Sequence, residues 1–582
     1  MVGKQKQAHV EDIFSIRMKK TKAIFLFLFS CIFIDLFFVI MFKIQIFPPA
    51  KITTANESDI YREIPIPVPR GTIYDRNGRI LAMSVPFYSA YLDSWAVAYE
   101  EKKHPDYRKK LKNELKETLK IKDKEIEYKM SQLYPLLKKE LSIEEYAQLQ
   151  NKKLPGVVFE QNYKRIYPNN KLACHVIGFT NIDEEGLEGV ELYYNGLLKG
   201  VAGKSLVLKD GKGALIYSIE KKIVQPQKGK DIKLTIDYNL QFILEEELER
   251  AYSVYNAKSV SAIIMDYETG EILALANIPN YDLNSPNISD PAEKRNRIVT
   301  DLFEPGSTFK IVTAAAAIEE KIITPEDVIF CECGKWFVRN HYLRDVHAYG
   351  SLTVSKVIEK SSNIGTVKIA IKMGEEKLYE YCKKFGFGQV TGIDLPGEIK
   401  GILRPLKHWS GYSITAIPIG QEVGINAIQG IRAMGVIANG GYLVQPHVLK
   451  EIMDKSEDVK INANQKKQQI LSEETCAILR GILENVTHPG GTAPLANIDG
   501  YRISGKTGTA QKFINRHYSQ DKYVASFCGF LNESEENLII QVTVDEPKPF
   551  YYGGVVAAPV FKNILWRSLQ YLNIPPEKNY NN

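Results

Sequence analysis

The segment FEPGSTFKIVTAAAAIEE, residues 303–320, is the clearest indication of the fold of the larger part of this chain. Its run of alanines predicts a helix, and Pro305 and Gly306 place the start of that helix at Ser307. Ser307 and Lys310 therefore share one helical face. A serine hydroxyl becomes nucleophilic when a base takes its proton, and a lysine is such a base once burial lowers its pKa from about 10.4. The free N–H groups of the first turn also suit an oxyanion.

A second motif lies downstream of this serine and lysine. The S-x-x-K spacing recurs at 218–221 and 519–522, so the spacing alone predicts little. The segment EKSSNIG, however, contains Ser361 and Asn363, a hydroxyl and an amide that we expect to project from a short turn into a cleft. Of the three S-x-x-K matches, we therefore favour the one at Ser307, because this second motif follows it.

The third motif is Lys506-Thr507-Gly508-Thr509 in YRISGKTGTAQK, which we expect at the end of a strand. Its two hydroxyls and its ammonium suit a carboxylate, and Gly508 allows the backbone to approach a ligand closely. The order S-x-x-K, S-x-N, K-T-G is the active-site set of penicillin-binding proteins and serine β-lactamases.

Other chemistries fit the sequence less well. Residues 500–507 match the phosphate-binding pattern G-x-x-x-x-G-K-[ST], but residues 493–499 make a poor core strand and Gly508 opposes the helix that should follow. No H-E-x-x-H motif occurs, and no histidine lies in a G-x-S-x-G context. We interpret His347 as structural or cleft-lining. The sequence thus predicts no nucleotide, no metal and no cofactor.

The region from about residue 231 predicts an α/β domain with a largely antiparallel sheet. Strand patterns occur at both of its ends, and helical patterns lie between them. The predicted elements are strands at 232–236, 261–265, 271–276, 501–503, 523–530 and 538–544, and a first helix from 239 to about 255.

The region before it mixes short strands with a charged helical stretch. Ile80 to Leu92 reads as a strand, and residues 100–150 read as helix with a solvated charged face rather than a binding patch. Turn residues at 75–78, 183–189 and 195–196 predict loops or hairpins.

The N-terminus carries a membrane-spanning segment. Residues 23–42 form a 20-residue apolar run, long enough to cross a bilayer core of about 30 Å. Only Asp35 interrupts it, and this residue either contacts a partner helix or is neutralised or snorkels. The run is longer than a signal-peptide core, and Lys43, Ile44 and Gln45 follow it instead of a cleavage site. Basic residues before the helix place the N-terminus in the cytoplasm and the rest of the chain outside.

Composition sets outer limits on these interpretations. The 582 residues suggest two to four domains, and 44% hydrophobic and 25% charged residues are typical of a globular protein. The net charge of +6 gives no support to nucleic-acid binding. The seven scattered cysteines form no dense disulfide framework, and Cys331 and Cys333 read as two local thiols.

With these motifs in hand, residues 60–570 resemble the class B penicillin-binding proteins, the monofunctional peptidoglycan transpeptidases. RGTIYDRNGRILA (70–82) is similar to the pedestal signature of that class, which β-lactamases lack, and GLEGVELYYNGLLKGVAG (186–203) is similar to a second pedestal segment. The division and sporulation branch of the class is more similar than its elongation branch to four stretches of this chain: FEPGSTFK, GSLTVSKVIEKSSNIG, GGTAPLANIDGYRISGKTGTAQK and DEPKPFYYGGVVAAPVFK. One departure is Glu422, where the family pattern leads us to expect glycine in a loop near the cleft.

The resemblance implies a fold, a reaction and residue roles. It implies a multidomain α/β protein: a single N-terminal transmembrane helix, an elongated α+β pedestal, and a penicillin-binding transpeptidase domain with a mainly antiparallel sheet sandwiched by helices. The implied segments are a cytoplasmic tail (1–22), the transmembrane helix (23–42), the pedestal or dimerisation-like domain (43–230), the transpeptidase domain (231–575) and a C-terminal tail (576–582). Ser307 would attack the penultimate D-Ala carbonyl of a stem pentapeptide and Lys310 would take its proton.

The remaining roles follow from the same resemblance. Ser361 and Lys506 would relay a proton to the departing amine, and Asn363 would hold the donor amide. Thr507 and Thr509 would bind the terminal carboxylate of the donor or of a β-lactam, and the N–H groups of Ser307 and Thr509 would form the oxyanion hole.

The implied partners are peptidoglycan stem peptides as donor and amine acceptor, β-lactams, the membrane, a polytopic glycan polymerase and other division proteins. The implied location is the bacterial cell membrane, with the catalytic domain extracytoplasmic and the septum as the expected workplace. Two alternatives stay open at this point: a membrane-anchored β-lactam sensor or β-lactamase on the same fold, and a non-catalytic divisome scaffold.

Overall fold

The structure is a computed structural model that describes residues 2–46, 61–209, 215–453, 467–514 and 517–577. Residues 47–60 and 210–214 of the predicted pedestal and residues 578–582 of the predicted tail lie outside this range. The N-terminal part is one helix, Val2–Ile46, of which residues 17–46 are long and apolar enough to cross a membrane. The predicted span 23–42 lies within it, and the helix is longer at both ends because the flanking lysines and arginine are also good helix formers.

The pedestal is built on two sheets. Its strands are β1 (Tyr61–Ile66), β2 (Ile73–Tyr74), β3 (Ile80–Leu92), β4 (Leu136–Lys138), β5 (Val157–Ile166), β6 (Gly203–Lys209) and β7 (Leu215–Val224). β1, β6 and β7 form a three-stranded sheet, and β3 pairs antiparallel from Met83 to Leu92 with the whole length of β5. The strand predicted at 80–92 is confirmed.

The charged stretch predicted as helix over 100–150 is divided into several elements. The pedestal helices are Ser94–Lys103, Tyr107–Leu119, Asp123–Met130, Ile143–Lys152, Cys174–Ile177, Gly189–Tyr193 and Asn195–Leu198. Leu111, Leu115 and Ile126 are fully buried in a small core of their own, while the lysines and glutamates face solvent. The loop predicted at 195–196 is wrong, because these residues begin a short helix in which the Asn195 side chain accepts a hydrogen bond from Arg70 Nη1 at 2.7 Å.

The C-terminal part contains the remaining strands and most of the core. They are β8 (Asp231–Leu234), β9 (Ser259–Asp266), β10 (Ile272–Ile278), β11 (Val328–Phe330), β12 (Lys335–Val338), β13 (His341–Arg344), β14 (Ser351–Thr353), β15 (Tyr442–Val444), β16 (Leu449–Met453), β17 (Lys467–Gln469), β18 (Ile503–Ile514), β19 (His517–Leu531) and β20 (Leu538–Asp545). The main sheet has the order β10-β9-β20-β19-β18 and is antiparallel throughout, as predicted.

Helices cover both faces of this sheet. They are Tyr238–Val254, Pro291–Lys294, Arg297–Thr300, Lys310–Glu319, Val354–Glu359, Asn363–Met373, Glu375–Lys384, Ser413–Ala416, Ala427–Ala438, Glu473–Glu484 and Gly553–Tyr571. The first and last of them pack on one face, where Phe527 meets Phe561 at 4.7 Å between ring centroids. Ala427–Ala438 packs on the other face, together with the helices that carry the candidate active site.

A second sheet joins the pedestal to the C-terminal part. Its order is β16-β8-β2-β3-β4, and pedestal strand β2 pairs parallel with β8. The hydroxyl of Tyr194 also donates a hydrogen bond to Asp394 across the same junction at 2.6 Å. Hydrogen bonds between strands therefore connect the two regions, in addition to the covalent chain that joins them.

Candidate active site

Ser307 lies in a tight turn directly before a buried helix. Gly306–Phe309 is a 3-10 helix and the α-helix begins at Lys310, so the predicted α-helical start is three residues too early. Residues three apart lie above one another in a 3-10 helix, so Ser307 and Lys310 still share one side. Gly306 has a positive φ of 56° and donates its N–H to Gly420 O at 3.1 Å. Ser307 is half-buried and Lys310 is fully buried.

Ser361 occupies the predicted short turn, between the helices Val354–Glu359 and Asn363–Met373. Its φ of 59° is in the left-handed region, which non-glycine residues rarely adopt without a structural reason. The next helix is held at its first turn by Asp345, whose carboxylate accepts hydrogen bonds from Ser362 Oγ at 2.6 Å and from the N–H groups of Asn363 and Ile364 at 2.5 and 3.0 Å. This carboxylate orients the whole second motif.

The three motifs meet at the side chain of Ser361. Lys310 Nζ lies 3.1 Å from Ser361 Oγ, 2.6 Å from Ser361 O and 2.7 Å from Asn363 Oδ1. Lys506 Nζ lies 2.9 Å from the same Ser361 Oγ. One hydroxyl thus contacts two buried lysines that are 196 residues apart in the sequence, at positions 310 and 506.

Burial changes the acidity of both lysines. Burial lowers the pKa of Lys506 to about 7. Burial, and then the positive charge of Lys506, lowers the pKa of Lys310 well below its ordinary value, while Asp345 opposes this shift. The charged form of an amine loses hydration when it is buried and is repelled by a neighbouring cation. A neutral lysine is therefore available at this site near neutral pH.

The third motif lies inside strand β18 and not at the end of a strand as predicted. Pairing with β19 continues through the motif, with Lys506 opposite Cys528 and Thr509 opposite Ala525. β18 is the edge strand of the sheet, so one side of its backbone is open to the cleft. Thr507 Oγ1 lies 3.1 Å from Thr492 Oγ1, and Thr509 Oγ1 accepts a hydrogen bond from Gly553 N at 3.0 Å.

Gly508 brings β18 close to the turn that carries Ser307. A Cβ at this position would lie 2.4 Å from Ser526 Oγ and 2.9 Å from Pro305 O. The glycine therefore serves contact within the protein, in addition to any approach to a ligand that the sequence suggested.

The competing sequence matches do not form comparable sites. Residues 218–221 lie within β7 and residues 519–522 within β19, so neither match opens a helix as Ser307 and Lys310 do. In the phosphate-loop match, residues 503–507 belong to a strand that continues to Ile514, so neither the loop nor the following helix exists.

Glu422 takes up the left-handed conformation that a glycine would adopt easily. Its φ is 59°, and its carboxylate is bonded to Arg404 and to Ser413 Oγ. Its N–H donates to Glu304 Oε1 at 2.9 Å, and the hydroxyl of Tyr518 donates to the same oxygen at 3.1 Å. These bonds hold the loop in shape at a position where the side chain would otherwise destabilise it.

Sequence reasoning missed Asp345, Thr492 and Glu304. Asp345 lies in the segment RDVHAYG, from which His347 was considered instead, and that histidine is exposed. No local pattern identifies Asp345, because the helix that it caps begins 18 residues later in the chain, at Asn363.

Cys331 is buried, Cys333 is exposed, and both are free thiols. Among the described residues, no group of histidines, cysteines and carboxylates is arranged to hold a metal ion.

The chain is similar to known proteins over most of its length. The family model "Penicillin binding protein transpeptidase domain" matches residues 260–566, and "Penicillin-binding Protein dimerisation domain" matches residues 65–234. The chain is 35% identical to the probable peptidoglycan D,D-transpeptidase PenA of Neisseria gonorrhoeae, over 90% of this chain and 88% of PenA. It is 34% identical to stage V sporulation protein D of Bacillus subtilis, over 94% and 86% of the two chains, and 30% identical to the peptidoglycan D,D-transpeptidase FtsI of Escherichia coli K12, over 95% and 92%.

A solved structure shares the fold. Penicillin-binding protein 3 of Mycobacterium tuberculosis in complex with aztreonam superimposes with a TM-score of 0.68 at 26% identity, covering 89% of this chain and 99% of that one. The chain belongs to the class B penicillin-binding proteins, serine-type transpeptidases with a dimerisation domain and a transpeptidase domain. Among the described residues, one helix, at the N-terminus, is long and apolar enough to span a membrane, which fits a single-pass membrane protein.

Proposed function

We propose that Ser307 is the acylated nucleophile of a peptidoglycan D,D-transpeptidase and that Lys310 is its base. The observation that carries this is the contact of both buried lysines with Ser361 Oγ, at 3.1 and 2.9 Å. A neutral Lys310 takes the Ser307 proton as the hydroxyl attacks the penultimate D-Ala carbonyl. Burial supplies the neutral form, because it lowers the pKa of Lys310.

Ser361 and Lys506 carry the proton to the leaving group. Once Lys310 has taken the Ser307 proton it donates to Ser361 Oγ, as Lys506 Nζ also does, and the Ser361 hydroxyl proton passes to the departing amine as Ser361 takes a proton from a lysine. The terminal D-Ala leaves as the amine, and the carbonyl carbon remains on Ser307 as an ester. An amine of a second stem peptide then attacks that ester, releases Ser307 and forms the cross-link.

The remaining site residues bind the donor. Asn363 holds the donor amide. Its side chain is fixed in place because Oδ1 accepts a hydrogen bond from Lys310 Nζ and Nδ2 donates one to the Arg344 carbonyl at 2.8 Å. Thr507 and Thr509 bind the terminal carboxylate on the open side of β18, and Gly508 keeps that strand beside Ser307. The N–H groups of Ser307 and Thr509 bind the oxyanion. A β-lactam occupies the same places and acylates Ser307.

Covalent labelling with a fluorescent penicillin tests these roles. The full chain in detergent is labelled beside Ser307→Ala and Lys310→Ala, and mass spectrometry locates the adduct. We expect a slowly released adduct on Ser307 that both substitutions abolish. A folded protein without the adduct would contradict the proposal and favour the scaffold function, and rapid release of hydrolysed drug would favour a β-lactamase.

We propose that the cellular role is septal cross-linking during division, with the N-terminus in the cytoplasm and the catalytic domain outside. The similarity to FtsI and the basic residues before the helix support this. Spore-wall synthesis is the second candidate, because stage V sporulation protein D is similarly related. Localising a fluorescent fusion in dividing and in sporulating cells separates the two, and labelling of single cysteines on either side of the helix tests the orientation.

We also propose a domain boundary near residue 230 and a separate, polytopic glycan polymerase as partner. The two matched families, at 65–234 and 260–566, support the boundary. Asp35 in the apolar helix and the pedestal are the expected contacts with the polymerase. Cross-linking from a photoreactive residue at position 35 in cells identifies the partner, and an absence of any membrane-protein adduct would contradict this contact.

A further inference from the structure

The hairpin formed by β12 and β13 has one face that the fold leaves uncovered. Its register pairs Lys335 with Arg344 and Phe337 with Tyr342, and these four side chains point to the same side. All four are exposed, while Trp336 and Leu343 on the opposite side pack against the core. We call Lys335, Phe337, Tyr342 and Arg344 the cleft-rim face.

Its centre is a pair of exposed aromatic rings. Phe337 and Tyr342 expose 59% and 57% of their surface, and their ring centroids are 5.1 Å apart. Contact between the two rings supports the hairpin itself, but nothing in the described fold covers their outer side, so two neighbouring aromatics remain in solvent. Lys335 Nζ lies 4.4 Å from the centre of the Tyr342 ring, which gives the pair a cationic edge.

The cations of this face have no carboxylate partner within the described residues. Neither Lys335 nor Arg344 takes part in an ion pair there. The nearest carboxylates in sequence are engaged elsewhere: Glu332 pairs with Lys368, and Asp345 binds the helix that begins at Asn363. The face is therefore an aromatic surface bordered by two positive charges, which suits a ligand with both apolar and anionic parts.

The hairpin is continuous with the active site. The carbonyl of Arg344 accepts a hydrogen bond from Asn363 Nδ2, and Asp345, the next residue, holds the first turn of the helix that carries Asn363. A ligand lying on the cleft-rim face is thus adjacent to the residue that we assign to the donor amide.

We propose that the cleft-rim face binds the glycan strand that supplies the acceptor stem peptide. The apolar C–H faces of its sugar rings pack on Phe337 and Tyr342, and carboxylates of its stem peptides pair with Lys335 and Arg344. This placement presents the amine of an adjacent stem peptide to the acyl-Ser307 ester. The proposal rests on the proposed function, because it assigns a substrate to that same cleft.

The test measures binding of a defined strand separately from acylation. The probe is a fluorescently labelled, uncross-linked peptidoglycan strand with intact stem peptides, and binding is read by anisotropy with the full chain in detergent. The protein carries Ser307→Ala so that nothing turns over. The variants are Phe337→Ser with Tyr342→Ser, and Lys335→Gln. The control is Tyr99→Ser, since Tyr99 is 64% exposed beneath Lys103 Nζ at 4.4 Å but lies in the pedestal.

We expect the double aromatic variant to raise the Kd for the strand about tenfold and Lys335→Gln to raise it about threefold, with the control unchanged. Strands stripped of their peptides should lose the effect of Lys335→Gln and keep that of the aromatic pair. Penicillin labelling of the same variants with Ser307 intact should equal that of the parent protein, which shows that the site is folded.

Unchanged strand binding in the double variant, with labelling intact, would overturn the proposal. If that variant also lost a protein partner from isolated membranes, the face would be a protein-docking surface. Failure of the proposed function looks different: the parent protein would not be labelled by penicillin, whatever its strand binding.

Discussion

At the scale of single residues, Lys506 is an ionisable amine whose burial lowers the stability of the folded protein whenever the amine is charged. Its amine is fully buried beside Lys310, and burial lowers its pKa to about 7. Below pH 7 both the folded and the unfolded protein hold this proton, so the folded state bears the full cost of the buried charge. Between about 7 and the ordinary value of 10.5 the unfolded chain binds more protons, so the free energy of unfolding rises with pH.

Lys506→Met should therefore stabilise the protein while abolishing acylation. We expect a gain on the order of 2 kcal/mol at pH 6 that shrinks as the pH approaches 10, read from thermal unfolding midpoints at pH 6 and 9. Lys512 on the same strand is the control: burial opposes its charge, but hydrogen bonds to Asp545 and Glu546 raise its pKa, so Lys512→Met should destabilise. Equal destabilisation by both substitutions would contradict the argument.

Gly508 sets the distance between β18 and the turn that carries Ser307. In Gly508→Ala the new methyl group would collide with Ser526 Oγ and Pro305 O and move the two segments apart. We expect the rate of penicillin acylation to fall about 100-fold, as displacement of reacting groups by about 1 Å does. Gly481→Ala is the matched control, because nothing lies within 4 Å of its added Cβ. Acylation at the parent rate in Gly508→Ala would show that the contact is not needed.

At the scale of elements, the helix Asn363–Met373 is positioned by a residue outside it. Asp345 satisfies N–H groups of its first turn and its charge faces the positive end of the helix dipole. In Asp345→Asn we expect a loss of about 1 to 3 kcal/mol in stability and about a tenfold slower acylation, because Ser361 and Asn363 lose their fixed position.

Penicillin labelling rates and thermal unfolding measure both effects. Asp290→Asn is the control, since Asp290 caps the short exposed helix Pro291–Lys294, which carries none of the candidate catalytic residues. If Asp345→Asn lowered stability but left the acylation rate at that of Asp290→Asn, its role would be structural only.

At the scale of the whole molecule, a buried ion cluster ties the pedestal together beside the sheet that it shares with the transpeptidase domain. Glu191 lies between Arg70 and Arg165, with both N–O distances at 2.6 Å and all three side chains buried. Arg165 also donates to Gly71 O at 2.8 Å, two residues before β2, the strand that pairs with β8. Cluster and junction are therefore mechanically connected.

Glu191→Gln should leave two buried guanidinium groups without their shared carboxylate. We expect a loss of about 3 to 5 kcal/mol, seen as a lower thermal midpoint for the pedestal and the transpeptidase domain together. Glu140→Gln is the control, because Glu140 pairs with Lys164 at the surface of the pedestal, where such pairs contribute little. Separate melting of the two domains in Glu191→Gln would contradict a shared cooperative unit.

Local sequence patterns are sufficient to predict the candidate active-site motifs, the membrane helix and the class of fold. These depend on local patterns: the spacing of Ser307 and Lys310, an apolar run of 20 residues, and alternating apolar strands, all of which are readable because neighbours in sequence are neighbours in space. Element boundaries do not follow from local patterns, since the pairing of β18 with β19, and not local propensity, extends the strand through Lys506 to Ile514.

Contacts between groups that are distant in the sequence are seen only in the folded structure. The contact of Lys310 and Lys506 at Ser361, the cap formed by Asp345 and the uncovered face of the β12–β13 hairpin all depend on packing between segments far apart in the chain. The lowered pKa values likewise arise from burial, a property of the folded surroundings that no sequence spacing encodes. The motifs thus indicate which side chains could react, whereas the distances between those side chains and the pKa values of the two lysines come from the fold.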